Sequence, residues 1–128
     1  MTSPFIFIGT YEFQPGKAED FKTYWKEFWS TVVEPQEPRL LAFNAYVDAD
    51  NKRVTVVQVH PDAGSMAFHM SLITEHVAKA YGELLEPGGD HQIYGIPGPE
   101  LLAGMKQMKG SDDTGAEWIP IGGFSRMG

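Results

Sequence analysis

Three β-forming runs in this chain carry apolar side chains on both faces, and this limits the possible folds more than any other feature. From Phe5 to Phe13, Phe5 and Phe7 alternate with Ile6 and Ile8. From Arg39 to Val47, Leu41 and Phe43 alternate with Leu40 and Ala42; from Arg53 to Val59, Val54 and Val56 oppose Val57 and Val59. An antiparallel sheet with helices on one side ordinarily turns polar residues to the other. A bare apolar patch of about 500 Å² is unusual for a monomer. At about 25 cal/mol per Å² it is worth on the order of 10 kcal/mol gross per subunit, before association costs. Face-to-face packing of two sheets in a twofold homodimer is the simplest cover.

Periodicity supplies the helices. Gln14-Pro15-Gly16 is a turn signal, and from Lys17 to about Val33 the residues Phe21, Trp25, Phe28 and Val32 share one helical face. Glu34-Pro35-Gln36-Glu37-Pro38 stops that helix, because proline lacks an N–H and disfavours helix in the residue before it. Asp48 to Lys52 has hairpin-loop composition. A long helix from about Ala63 to Leu85 is opened by Pro61-Asp62 and closed by Pro87-Gly88-Gly89, with Met66, Met70, Ile73, Val77 and Leu84 as its apolar stripe. His91 to Ile96 reads as a fourth strand.

The order β-α-β-β-α-β predicts an α+β, ferredoxin-like domain over residues 1–98, an antiparallel sheet with both helices on one face. Residues 99–128 form a C-terminal extension. It comprises a short helix (Glu100 to Met108), a polar, Gly-rich linker (Lys109 to Glu117), and an apolar Trp118-Ile119-Pro120-Ile121 expected to dock on the domain or on a partner chain.

Composition narrows the function. At 128 residues and 42% apolar, the chain makes one folded domain. A net charge of −7 with no basic cluster argues against nucleic acid and against an anionic membrane surface. Absence of cysteine excludes disulfides, thiolate catalysis and thiolate metal sites. The start MTSPFIFIGTYEF has neither a basic segment nor a long apolar run, so a cytoplasmic location is expected.

Chemistry concentrates between His60 and His76. His69 and His76 are two turns apart and are expected along the edge of the apolar stripe. With an ordinary pKa near 6.5, His69 suits a general base for a phenolic proton; the plainer reading is a helix-edge histidine satisfied by a carbonyl or water. His76 suits a solvated or interface position. The histidines lack the i, i+4 spacing of a zinc protease, so no metal site is expected. Trp25, Trp29, Phe21 and Phe28 make the first helix aromatic, which serves a core or a pocket wall. Asn44 and Gln58 are amides among apolar neighbours, so each needs either a structural hydrogen bond or a ligand. Tyr11, Tyr46 and Tyr94 can each point a polar tip into a cavity.

The β-α-β-β-α-β order, the aromatic first helix, and the strand leading into D-x-x-x-x-x-x-H (Asp62 to His69) resemble the antibiotic biosynthesis monooxygenase family of the dimeric α+β-barrel superfamily, over roughly residues 5–97. The resemblance implies a homodimer with a pocket between sheet and helices. It also implies, as in some members, oxygenation of polycyclic phenols or quinols without a bound cofactor. His69 matches the recurring helical histidine, while Asn44 and Trp25 or Trp29 match the polar and aromatic pocket positions. The haem-degrading subgroup pairs an Asn at the start of the first strand with a Trp and the helical His. This chain has Gly9, Thr10 and Tyr11 there and no Trp on its third strand, so haem degradation is not expected.

The expectation is therefore a monooxygenase-like enzyme acting on an aromatic or polycyclic hydrophobic small molecule, with no cofactor. His69 would be its base, and Trp25, Trp29, Phe43, Asn44, Met70 and Tyr11 would line its pocket. The alternative is a non-catalytic binding or structural homodimer. A cavity of roughly 300 Å³ or more beside His69 favours binding or catalysis; a solidly packed interior favours the structural dimer.

Overall fold

The computed structural model describes residues 3–109 and 116–126. Four strands, β1 (Phe5–Glu12), β2 (Ala42–Val47), β3 (Arg53–His60) and β4 (Asp90–Tyr94), pair antiparallel in the order β2-β3-β1-β4. A short strand, β5 (Ala116–Trp118), adds to β4 in parallel at the edge. This is the α+β, ferredoxin-like architecture expected from the element order. Residues 110–115 of the anticipated linker, and the Val77 side chain of the apolar stripe, lie outside the described residues.

The two-residue alternation sorts the side chains. Phe5, Phe7, Tyr11, Val54, Gln58, His60, His91 and Ile93 point toward the helices and are buried. Ile6, Ile8, Val57 and Val59 take the opposite face, where they are half-buried, beside the exposed Tyr46. At the sheet edge the Trp118 ring stacks on Tyr94 of the same face at 5.9 Å. Trp118, Ile119 and Ile121 remain more than half exposed, so the apolar tail docks through the β5–β4 pairing rather than by burial.

Helix α1 (Ala18–Phe28) passes into a π-helical turn (Trp29–Val33) and one final turn, α2 (Glu34–Gln36). The wider turn changes the register of the face beyond it, so Val33, not Val32, is the buried residue, while Trp29, ahead of that change and bonded through its N–H to Trp25 O, is exposed. Pro38 then excludes helix at Glu37, whose backbone opens to φ −126°, ψ 73° and whose side chain is buried. Arg39 lies in a turn, so β2 starts at Ala42 rather than at Arg39.

Helix α3 (Ala63–Glu83) is N-capped by Asp62, whose Oδ1 accepts the Ser65 N–H at 3.0 Å. Helix α4 (Gly98–Lys109) packs on α3 and adds Leu101 and Met105 to the core. The core is divided into three clusters, around Phe7 and Met70, around Phe13 and Phe21, and around Phe28 and Ile73. Among the described residues no helix is long and apolar enough to cross a membrane.

Candidate functional site

A cavity of about 390 Å³ occupies the space between those clusters, with the sheet as floor and α1, α3 and α4 as walls. Most of its lining is apolar, including Phe7, Phe28, Phe43, Met70 and Met105. The polar side chains in its lining are those of His69, Gln58, Tyr11, His91, Tyr24 and Thr74.

His69 is wholly buried, in the middle of the inward face of α3 rather than at its edge. Met66, Met70 and Ile73, at i−3, i+1 and i+4, bury the turns on either side of it. Its Nδ1–H donates to Glu37 Oε2 at 2.6 Å. Neither its Nε2 nor Glu37 Oε1 has a hydrogen-bond partner among the described residues. With the Nδ1–H bound to a carboxylate, Nε2 is the ring nitrogen left to accept a proton at the cavity wall, the arrangement of an oriented base. Phe43 packs edge-on against the ring at 5.1 Å, and Trp25 stacks on Phe43 at 4.6 Å.

Behind His69 a second relay runs through the sheet. Ser65 Oγ lies 2.7 Å from His60 Nδ1, and His60 Nε2 lies 3.0 Å from Gln58 Oε1. Burial, reinforced by the neighbouring His69, pushes the His60 pKa down to about 3, so this imidazole is neutral. Its ring centroid is 5.7 Å from that of His69.

At the other end Tyr11 Oη and His91 Nε2 share a hydrogen bond of 2.9 Å. The Tyr11 ring fits here because Gly9 and Gly89 leave room: a Cβ at Gly9 would meet Tyr11 Oη at 2.4 Å, and one at Gly89 would meet the ring at 2.5 Å. Burial raises the Tyr24 pKa to about 12, and its hydroxyl donates to the His76 carbonyl at 3.2 Å. His76 itself is half-buried, its ring 5.2 Å from Phe28.

Five of the seven residues expected at a site, His69, Trp25, Phe43, Met70 and Tyr11, come together around the cavity. Trp29 and Asn44 do not. Trp29 lies at the flank of the α1 face and is exposed, and Asn44 follows Phe43 on β2, so the strand alternation turns it to the helix-free face. Glu37 was read only as part of a helix stop, and no spacing pattern couples it to His69. Gln58 was legible as an amide in an apolar strand; its link to His60, two residues along the same face of β3, follows from the strand period. Among the described residues no three His, Cys, Asp or Glu side chains gather as metal ligands.

No protein-family model matches the sequence, and no curated protein matches it. Solved structures do. MupZ from Pseudomonas fluorescens superposes with a TM-score of 0.74 at 19% identity, over 98% of this chain and 91% of its own. A crystal structure of an antibiotic biosynthesis monooxygenase gives 0.60 at 17% identity, over 70% of this chain and 94% of its own. The chain has the antibiotic biosynthesis monooxygenase fold. PA3566 from Pseudomonas aeruginosa, at 18% identity and a TM-score of 0.60, likewise covers 73% of this chain. The coverage of MupZ extends this fold through α4 and β5, so the C-terminal extension, whose Met105 lines the cavity, is part of that shared architecture.

Proposed function

We propose that this protein is an enzyme that takes a proton from an aromatic or polycyclic hydrophobic compound and lets the resulting anion react with O₂ without a bound cofactor. The observation that supports this reading is the Glu37–His69 pair, with Nε2 unpartnered in the wall of a mostly apolar cavity. A cavity of about 390 Å³ has room for a compound of two or three fused rings. Its aromatic walls favour a flat ligand.

In the proposed reaction His69 Nε2 accepts the proton of a phenol, and Glu37 stabilises the imidazolium that forms. The electron-rich phenolate then transfers electrons to O₂. One oxygen atom enters the ring as a quinone carbonyl and the other leaves as water, which balances phenol plus O₂ against quinone plus water. The same proposal includes a homodimer, in which a second copy covers the face bearing Ile6, Ile8, Val57 and Val59, and a cytoplasmic location.

Oxygen uptake with a panel of phenols and quinols tests it. Wild type is expected to consume O₂ with at least one of them, and His69→Ala to lose about a hundredfold or more in rate while keeping its fold and mass. Equal rates in the two proteins reject the base. Tight binding of the panel with no turnover would instead favour the reading of a non-catalytic binding dimer, for which the mostly apolar lining is the supporting observation.

A further inference from the structure

We propose that the Gln58 side-chain amide is the cavity's hydrogen-bond donor, and that it recognises a carbonyl oxygen conjugated with the substrate's acidic group. The proposal deepens the reading of His69 as a base and rests on it for the charge that the amide meets.

The argument starts from Ser65. Its hydroxyl is buried, and His60 Nδ1 at 2.7 Å is the acceptor within its reach. Were Nδ1 protonated instead, the hydroxyl proton would be left buried without an acceptor, a costly arrangement. Ser65 therefore donates, Nδ1 accepts, and the single proton of the neutral His60 ring sits on Nε2. That N–H donates to Gln58 Oε1 at 3.0 Å. The amide is thereby held in one of its two orientations: oxygen toward His60 and N–H₂ away from it. Gln58 lines the cavity, and its Nε2 makes no hydrogen bond among the described residues.

Position completes the case. Gln58 lies opposite Phe43 across the β2–β3 ladder and opposite Phe7 across the β1–β3 ladder, at the centre of the sheet's inward face. Phe43 is the ring against which His69 packs. His69 Nε2, a buried acceptor without a partner among the described residues, and the Gln58 side-chain N–H₂ thus flank one aromatic wall. That pair matches a compound with an acidic O–H or C–H and a conjugated carbonyl. As the proton moves to His69, the electron pair of the broken bond delocalises onto the carbonyl oxygen, where the Gln58 N–H receives it. No oxidant is needed for this step. A donor aimed at developing charge stabilises the anion more than the neutral compound.

Two probes test the assignment under argon: 6-acetyl-2-naphthol, which carries the conjugated carbonyl, and 2-naphthol, which lacks it. Gln58→Leu is expected to weaken binding of the acetyl probe roughly tenfold and that of 2-naphthol less than about twofold. Ser65→Ala, which releases the His60 tautomer, is expected to act in the same selective sense by about threefold, and it stands as the test should Gln58→Leu fail to fold. Equal weakening of both probes, no weakening of either, or no binding of the acetyl probe to wild type overturns the proposal. His69→Ala separates the two readings. It is expected to abolish the naphtholate absorption of the bound probe and to preserve the carbonyl preference. If naphtholate persists in that variant, the base reading falls while the selectivity of Gln58 is judged by its own variants.

Discussion

Glu37 Oε2 lies 2.6 Å from His69 Nδ1, and both side chains are shut off from solvent. The two residues are 32 positions apart, and Pro38 ends the helix at Gln36, so that Glu37 leaves helical geometry with its side chain buried against His69. Removing one member of a buried pair strands the other. Glu37→Ala is expected to cost about 3 kcal/mol. Glu37→Gln, which retains an acceptor for the Nδ1–H, is expected to cost about 1 kcal/mol. Urea denaturation at neutral pH measures both, and equal costs would show that the carboxylate charge, not the acceptor, is what His69 requires.

His60 gives the fold a pH dependence of defined sign. Its pKa falls from the ordinary 6.5 to about 3 in the folded chain, so the folded state holds it neutral while the unfolded chain takes up a proton below 6.5. Its contribution is complete above pH 6.5 and is lost as the pH falls toward 3. The expected slope is on the order of 1 kcal/mol per pH unit across that window. His60→Asn is expected to have a flatter stability curve than wild type between pH 6.5 and 4.5, whatever its stability at pH 7. Parallel curves for the two proteins would refute the neutral, buried imidazole.

The element order and the position of the long helix were readable, because period-2 and period-3.6 patterns mark strands and helices directly. Met70 fell to the cavity by the helical period alone. Trp29 did not, because it lies one residue past Phe28, at the flank of the α1 face, and its N–H still bonds to Trp25 O in α-helical register. Asn44 shows a different failure: on β2 both faces carry apolar residues, so the alternation gave no sign of which parity faces the helices. Glu37 was invisible for a third reason. A carboxylate between two prolines looks like a surface turn, and the His69 that it pairs with is 32 positions away in the sequence.

Asp62 joins the start of α3 to the relay behind the cavity. Its Oδ1 caps the helix through the Ser65 N–H at 3.0 Å, and its other oxygen pairs with the exposed Arg39. That backbone hydrogen bond, more than Arg39, holds its carboxyl below the ordinary carboxylate range, so the cap weakens as the pH falls through that lowered value. Asp62→Ala is expected to lose about 1 kcal/mol. Asp62→Asn, which still caps but no longer pairs with Arg39, is expected to lose less than about 0.5 kcal/mol. Thermal unfolding of both variants distinguishes the cap from the surface ion pair; a larger loss in Asp62→Asn would make the ion pair the dominant interaction.

Ile8 and Val57 face each other directly across β1 and β3 on the side of the sheet that no helix covers. In a monomer that face would leave both half in water, together with Ile6 and Val59. In the proposed homodimer a second copy would cover that surface. A lysine at either position would then bury an unpaired charge, or set two like charges together, in the middle of the contact. Ile8→Lys and Val57→Lys are each expected to shift the sedimentation mass from that of two chains to that of one. Their secondary structure should be unchanged, because in a single chain the same lysine simply reaches solvent. Wild type sedimenting as one chain would remove the homodimer from the proposal and leave the cavity, which lies on the opposite side of the sheet within a single chain, as it stands.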